Sequence, residues 1–438
     1  MRINGLFKNK LVNNIFGLGI FRLLGIISNF LLIGLVYRFL GDNELNGIWL
    51  TVFSILTWFT VLDFGMGNSL RNKLTTSIEA KNTDLSNRYI NTTYLVMLIP
   101  TIVIIIVGFT TAIVIDWTDF FNISNESITS NYLRLFIVTV IFLQAINFYL
   151  SLLFALLHAT FNSYLISMLQ FIVSLVNLLI ISCLYWLNIS NLIVLGAVYI
   201  GSSIIILFSS TIYFFKKNKH DFKFGFKYFD TSLIKEIFNI GMKFLILQLA
   251  IIILINTDNF LISLFLGVEK VTQYQLLFKL LSIFTIALGI ILTPVWTLII
   301  QYNANNEIKK LKLTILRLIF TFVVLSIFVI VTGLFSNIII TFWIGKNINL
   351  NTQLIILMAI FTILHMWSNI FQNILNGMTR LNIQVIAYGL AGIINIPISI
   401  VLVNFTDLEL SAVILGSIIA FVFPAIILPL YCYRIFFK

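Results

Sequence analysis

Residues 15–39 read IFGLGIFRLLGIISNFLLIGLVYRF, a run of 25 residues whose charges are Arg22 and Arg38 alone. An apolar run of about 20 residues crosses a bilayer as a helix. Similar runs recur along the chain and predict twelve spans. Six are expected at Ile15–Phe39, Gly47–Leu70, Thr92–Ile115, Leu133–Leu157, Tyr164–Leu187 and Leu192–Phe215. Six more are expected at Ile240–Leu266, Tyr274–Ile300, Leu313–Phe335, Gln353–Leu375, Ile383–Val403 and Leu410–Tyr433. The apolar stretch Ile338–Ile344 is too short to cross and reads as interfacial. The chain is therefore expected to be an all-α polytopic membrane protein.

Composition agrees. Hydrophobic residues make up 60% of the 438 positions and charged residues 10%, against about 25% charged in soluble domains. Once the spans are removed, no length remains for a soluble catalytic domain, so function is expected inside the bundle. Cys183 and Cys432 both fall in apolar runs, where thiols behave as small hydrophobes, and they outline no disulfide framework. Arg2, Lys8 and Lys10 precede the first run as in a signal peptide. That run is too long and lacks a small-residue cleavage site, so it reads as a retained span.

Orientation follows from the loops, because cytoplasmic loops collect Lys and Arg. Termini and alternate loops on one side hold nineteen basic residues, among them Lys73, Arg88, Lys216, Lys217, Lys219, Lys223, Lys227 and Lys310; the other side holds Lys270 and Lys346. Both termini are thus expected to be cytoplasmic. The loop 116–131 carries Asp116, Asp119 and Glu126 and no base. The net charge of +11 is a topology signal rather than a nucleic-acid footprint, and membrane lipid with anionic headgroups is the partner it implies.

The longest basic loop lies mid-chain, giving an N-terminal six-helix bundle at 1–215, a cytoplasmic basic linker at 216–238 and a C-terminal six-helix bundle at 239–438. Internal matches support duplication. Phe39-Leu40-Gly41 recurs as Phe265-Leu266-Gly267; a shift of 218 lays Ala159–Asn162 on Gly377–Arg380 and Val176-Asn177 on Ile394-Asn395. An even number of spans per half gives parallel repeats about an axis along the membrane normal.

Six basic residues lie in or at the edges of spans: Arg22, Arg38, Arg134, Lys243, Lys279 and Arg317. A charge facing lipid costs about 2.5–3.5 kcal/mol on insertion scales. Arg38, Arg134 and Arg317 lie near helix ends and can snorkel to the headgroups. Arg22 is about 10 Å inside its span at 1.5 Å per residue, Lys243 is one turn inside the seventh, and Lys279 is set into the eighth. Arg22 and Lys243 occupy equivalent spans, and paired cations in a cavity call for an anion. Asp258, flanked by Asn256, Thr257 and Asn259, reads either as a protonatable coupling site or as an internal salt-bridge partner of a lysine such as Lys279. At the end of the second span, DFGMGNSLRNK (63–73) offers Asp63 for pairing and Gly65 and Gly67 for flexibility. Pro294 in the eighth span removes a backbone bond. These are candidate gating or hinge points.

The basic N-terminus, Arg22, the Phe39-Leu40-Gly41 exit and the 63–73 stretch together resemble bacterial O-antigen and polysaccharide repeat-unit flippases. These belong to the multidrug/oligosaccharidyl-lipid/polysaccharide (MOP) exporter superfamily. The resemblance implies two six-helix bundles in a MATE-like V, alternating access, and an undecaprenyl-diphosphate-linked oligosaccharide moved across the bacterial cytoplasmic (inner) membrane. It implies a cationic cavity, for which Arg22, Lys243 and Lys279 are positional candidates. Contact with other polysaccharide assembly proteins is expected, Asp258 offers coupling to an H+ or Na+ gradient, and with no metal motif, nucleophile triad or phosphate-cradling Gly loop in the sequence no cofactor, metal or catalytic residue is expected.

The physics suits such cargo, because a diphosphate needs cations and a hydrated path through about 30 Å of hydrocarbon. Sugars need polar surfaces, for which Asn29, Gln144, Asn147, Gln170, Asn177, Gln248, His365, Asn369 and Asn395 are candidates. A multidrug or cation antiporter of the same superfamily would favour an acidic cavity, yet bases outnumber acids within the spans. A membrane glycan polymerase or glycosyltransferase would need a large external loop or an acidic catalytic cluster, and the longest external loop has about 16 residues, an upper-end connector.

Overall fold

The computed structural model describes residues 2–41, 65–120, 129–266, 268–344 and 350–437, together with 45, 48, 49, 52 and 53. Among them, eleven helices are long and apolar enough to cross a membrane. The second predicted span, Gly47–Leu70, lies mostly outside the described residues, and so does Asp63.

The chain divides into two compact units, Met1–Met242 and Lys243–Lys438. The first begins with α1 (Arg2–Leu40), α2 (Met66–Glu79), α3 (Thr83–Val114), the one-turn α4 (Trp117–Phe120) and α5 (Ser130–Leu150). It continues with α6 (Leu152–Ala159), α7 (Ser163–Trp186) and α8 (Leu192–Lys217). Helix α9 (Ile234–Leu266) carries the chain into the second unit, which holds α10 (Val268–Ala304), α11 (Ile308–Leu334) and the short α12 (Ser336–Ile344). The last three helices are α13 (Thr352–Gly377), α14 (Leu381–Phe405) and α15 (Leu410–Phe437). Several helices outrun the predicted spans: α3 starts nine residues before Thr92, because Asn82 caps it by accepting from the Leu85 N–H and a polar turn precedes the apolar run.

The duplication read from short matches is visible in the packing. In the first unit α3 packs on α5, α5 on α8 and α7 on α8, while α2 touches α3 and α6. In the second, α11 packs on α13, α13 on α15 and α14 on α15, and α10 touches α11 and α13. The helix corners repeat as well. Phe161 and Thr379, 218 residues apart, both have φ 56°, and Lys81 and Asn306 both have φ 54°. Each closes the same kind of helix end, with bonds from Asn162 N to Leu157 O (2.8 Å), Arg380 N to Leu375 O (2.9 Å), Asn82 N to Ser77 O (3.0 Å) and Glu307 N to Tyr302 O (2.8 Å). A left-handed non-glycine residue costs roughly 1–2 kcal/mol, so four such corners at matching places reflect a shared backbone design.

Within the first unit, the Asn14 side chain joins α1 to the α6–α7 corner. It donates to Phe161 O (2.5 Å) and accepts from Tyr164 N (3.2 Å). Within the second, Ala412, Gly416 and Ala420 form a buried small-residue stripe on α15, the pattern that lets membrane helices approach closely. A Cβ on Gly416 would lie 2.9 Å from Ser399 Cα and nearer still to its Oγ. Gly416→Ala is therefore expected to cost about 1–3 kcal/mol by overpacking, read as earlier thermal unfolding of the purified protein in detergent. An unchanged midpoint would contradict this packing.

The predicted linker at 216–238 is strapped to the first unit. Asn87 Oδ1 accepts from Lys223 N (2.7 Å), Asn91 donates to Lys223 O (2.8 Å) and accepts from Gly225 N (2.8 Å), and Thr92 Oγ1 accepts from Asp230 N (3.0 Å). Lys73 pairs with Glu236, which also accepts from Tyr89 Oη (3.0 Å), and Arg88 bridges Asp84 (2.8 Å) and Asp230 (3.2 Å). The Ser232 hydroxyl and N–H, then Arg88, hold the Asp230 carboxyl below the ordinary carboxylate range.

Candidate functional site

Four consecutive polar residues, Asn256–Asn259, interrupt the apolar sequence of α9, and the second of the two central ones points into the helix packing. Asp258 is 1% exposed. A buried carboxylate is tolerated only when its oxygens are hydrogen-bonded, and these are. Tyr274 Oη on α10 donates to Oδ2 (2.5 Å), and Ser417 Oγ on α15 lies 2.8 Å from Oδ1 and 3.0 Å from Oδ2. Asn395 Nδ2 on α14 donates to Ser417 Oγ (2.8 Å), and Thr257 Oγ1 donates to Asn395 Oδ1 (3.2 Å) while also reaching Ile253 O (2.5 Å). Beside the loop, Gln275 Nε2 donates to Asn259 Oδ1 (2.5 Å).

The chain of bonds thus leaves α9 at Thr257, passes through α14 and α15, and returns to α9 at Asp258. The Asn395 amide and the Ser417 and Tyr274 hydroxyls all donate toward the carboxylate, so these bonds polarise one another. Adding a proton or a small cation at Asp258 would make at least one hydroxyl turn. Occupancy of this one group is thereby tied to the packing of four helices.

The salt-bridge reading of Asp258 with Lys279 is corrected. Lys279 is exposed on α10 and forms no ion pair with Asp258. Five residues of helix separate it from Tyr274, a rotation of about 140° at 3.6 residues per turn, so the two side chains leave α10 on different faces. Arg22 is exposed on α1, and Lys243 is half-buried at the start of the second unit. Among the described residues, Arg22, Lys243 and Lys279 make no ion pair.

The 63–73 stretch is described from Gly65 onward. Gly65, at φ 64°, caps the start of α2, with Gly67 in that helix's first turn and Leu70 and Leu74 buried. Glycine adopts this left-handed conformation at no steric cost. Pro294 is buried inside α10, which continues through it; the preceding Thr293 hydroxyl donates to Gly289 O (2.7 Å).

Two expected sugar contacts are helix fasteners instead. Asn395 is spent on Ser417, and Asn177, at the equivalent place in the first half, accepts from Ser202 Oγ (2.6 Å) and donates to Tyr199 O (3.1 Å). Both are fully buried, at 0% and 1% exposure. In the first half, the Phe39/Phe265 register of 226 residues puts buried Leu32 where the second half has Asp258. His365 packs its ring on Phe361 and Phe421, with centroids 6.1 and 5.3 Å away. Sequence reasoning missed Tyr274 and Ser417, since a lone Tyr and Ser in apolar runs carry no signal until the helices are placed.

Residues 11–297 match the model of a family described as polysaccharide biosynthesis protein. Among solved structures, the chain is similar to an outward-facing multidrug resistance MATE family transporter of the MOP superfamily, with TM-score 0.76 and 14% identity over 97% of this chain and 95% of that one. A MATE structure in the bent conformation gives TM-score 0.76 and 15% identity over 98% and 96%. A MOP superfamily transporter from Pyrococcus furiosus, described as having a binding pocket of reverse polarity that suggests a different function, gives TM-score 0.73 and 13% identity over 97% and 95%. At such identities the likeness establishes the fold. No curated protein matches the chain.

Proposed function

Because this chain belongs to the polysaccharide biosynthesis protein family, we propose that it is a flippase for polyprenyl-diphosphate-linked oligosaccharide repeat units of O-antigen or a related surface polysaccharide. The chain is a multi-pass membrane protein with the fold of MOP superfamily transporters. The observation that carries the cargo reading is the charge left over within the spans. Asp258 is satisfied by hydroxyls, and among the described residues Arg22, Lys243 and Lys279 make no ion pair. Such cations at membrane depth suit a diphosphate and oppose the cationic drugs of a multidrug antiporter. The reversed pocket polarity described for the Pyrococcus furiosus transporter, and the different function it is said to suggest, set a precedent for a change of pocket charge on this fold.

In this reading the two halves alternate access across the cytoplasmic membrane, the three cations escort the diphosphate, and Asp258 exchanges an H+ or Na+ as its hydroxyl partners reorient. Gly65, Gly67 and Pro294 are the places where backbone can yield, and Asp63 is a partner for a neighbouring cation. The test is deletion of the gene in its own cell. Lipid-linked oligosaccharide should accumulate on the inner leaflet and surface glycan should disappear. Normal glycan combined with new sensitivity to cationic drugs would instead favour the antiporter.

Orientation is tested separately. With both termini inside, a cysteine at Lys219 should be shielded from an impermeant thiol reagent in intact cells, and one at Thr129 should react. Labelling of both from outside would contradict the proposed topology.

A further inference from the structure

We propose that residues 216–230 are a membrane anchor that takes anionic phospholipid, with Phe224 and Phe226 at the acyl boundary and Lys219, Lys223 and Lys227 among the headgroups. The proposal is independent of the cargo. Depth is its first support. The segment leaves the apolar helix α8 at Lys217 and hangs by its backbone on Asn87, Asn91 and Thr92, where α3 changes from polar to apolar sequence. Phe224 packs edge-on against Tyr94 and Phe215, with centroids 5.6 and 5.7 Å away. Both of those rings belong to the apolar part of their spans.

The second support is the outward face. Phe222 is buried and stacks on Phe214 at 5.8 Å, yet Phe224 is 58% and Phe226 82% exposed. The amide clamps on Lys223 and Gly225 keep these rings from folding back. Phenylalanine rings flanked by lysines are the pattern of interfacial segments whose apolar side lies at the headgroup/acyl boundary.

Charge identifies the occupant. Five exposed lysines, at 216, 217, 219, 223 and 227, face Asp221 and Asp230, and Asp230 is already held by Arg88. A basic cluster immediately beyond a span is the pattern that recruits anionic lipid, each lysine giving roughly a five-fold local enrichment. A protein covering this face would not account for lysines alternating with rings at the headgroup level.

The experiment uses the full chain with Cys183→Ala, leaving buried Cys432 in place, and an environment-sensitive fluorophore on Phe226→Cys. The protein is placed in nanodiscs of phosphatidylcholine containing an equal fraction of acyl-brominated phosphatidylglycerol or acyl-brominated phosphatidylcholine. Quenching is expected from both lipids and several-fold more strongly from the phosphatidylglycerol. Lys219→Gln/Lys223→Gln/Lys227→Gln should remove that preference while leaving quenching by phosphatidylcholine. A second label at Phe229→Cys guards against a local fault at 226. No quenching by either lipid would place the face in water or under protein, and equal quenching by both would remove the headgroup preference; either result overturns the proposal.

Discussion

Asp258→Asn is expected to abolish gradient-driven transport in reconstituted vesicles while leaving the protein folded. The amide keeps the side chain's size, still accepts from Tyr274, and can donate to Ser417 after that hydroxyl turns, so the four-helix contact survives. What is lost is the exchangeable charge. Each cation moved down 100 mV supplies about 2.3 kcal/mol, which is a factor of about 50 in the steady-state distribution of cargo. Accumulation should fall by that factor to the level of vesicles without a gradient, and cargo binding should persist. Undiminished gradient-dependent accumulation in Asp258→Asn would remove the coupling role. Tyr274→Phe and Ser417→Ala, which withdraw donors and keep the charge, should alter the pH dependence of transport before its maximal extent.

The second large effect is expected at the cations. If Arg22 and Lys243 escort the diphosphate, replacing either by Ala should weaken cargo binding by about 10- to 100-fold, the range for a hydrogen bond to a charged group. The double variant should lose surface glycan with protein level and membrane insertion unchanged. Arg22→Lys separates two uses of the charge. Partial function means that charge suffices; complete loss means that the planar fork of the guanidinium is needed. Normal glycan in the double Ala variant would refute the escort.

Much of the architecture was legible because the bilayer imposes a length on every span, and apolar runs of that length are hard to mistake. The matches at Ala159–Asn162 and Gly377–Arg380 held more than they showed, since their third positions, Phe161 and Thr379, adopt the same left-handed corner. Helix ends were less legible: α3 continues outward through Asn87 and Asn91, polar residues that serve the strap rather than a loop. The site was half legible. Asp258 stood out as a charge in an apolar run, but its partners are 16 and 159 residues away, and no local pattern reports which face of a distant helix meets it. Asn177 and Asn395 show the converse. A polar side chain in a span reads as a cargo contact until its partner helix is seen to consume its bonds.

The flipping reaction itself gives the most direct measurement. A fluorescent polyprenyl-diphosphate oligosaccharide, built into vesicles with the purified chain, can be scored by an impermeant glycosidase that reaches only the outer leaflet. Vesicles with the protein should expose the inner-leaflet pool on imposing a proton or sodium gradient, and the Arg22→Ala/Lys243→Ala protein should leave that pool protected. Protection equal to protein-free vesicles, or exposure that the double substitution does not change, would contradict the account.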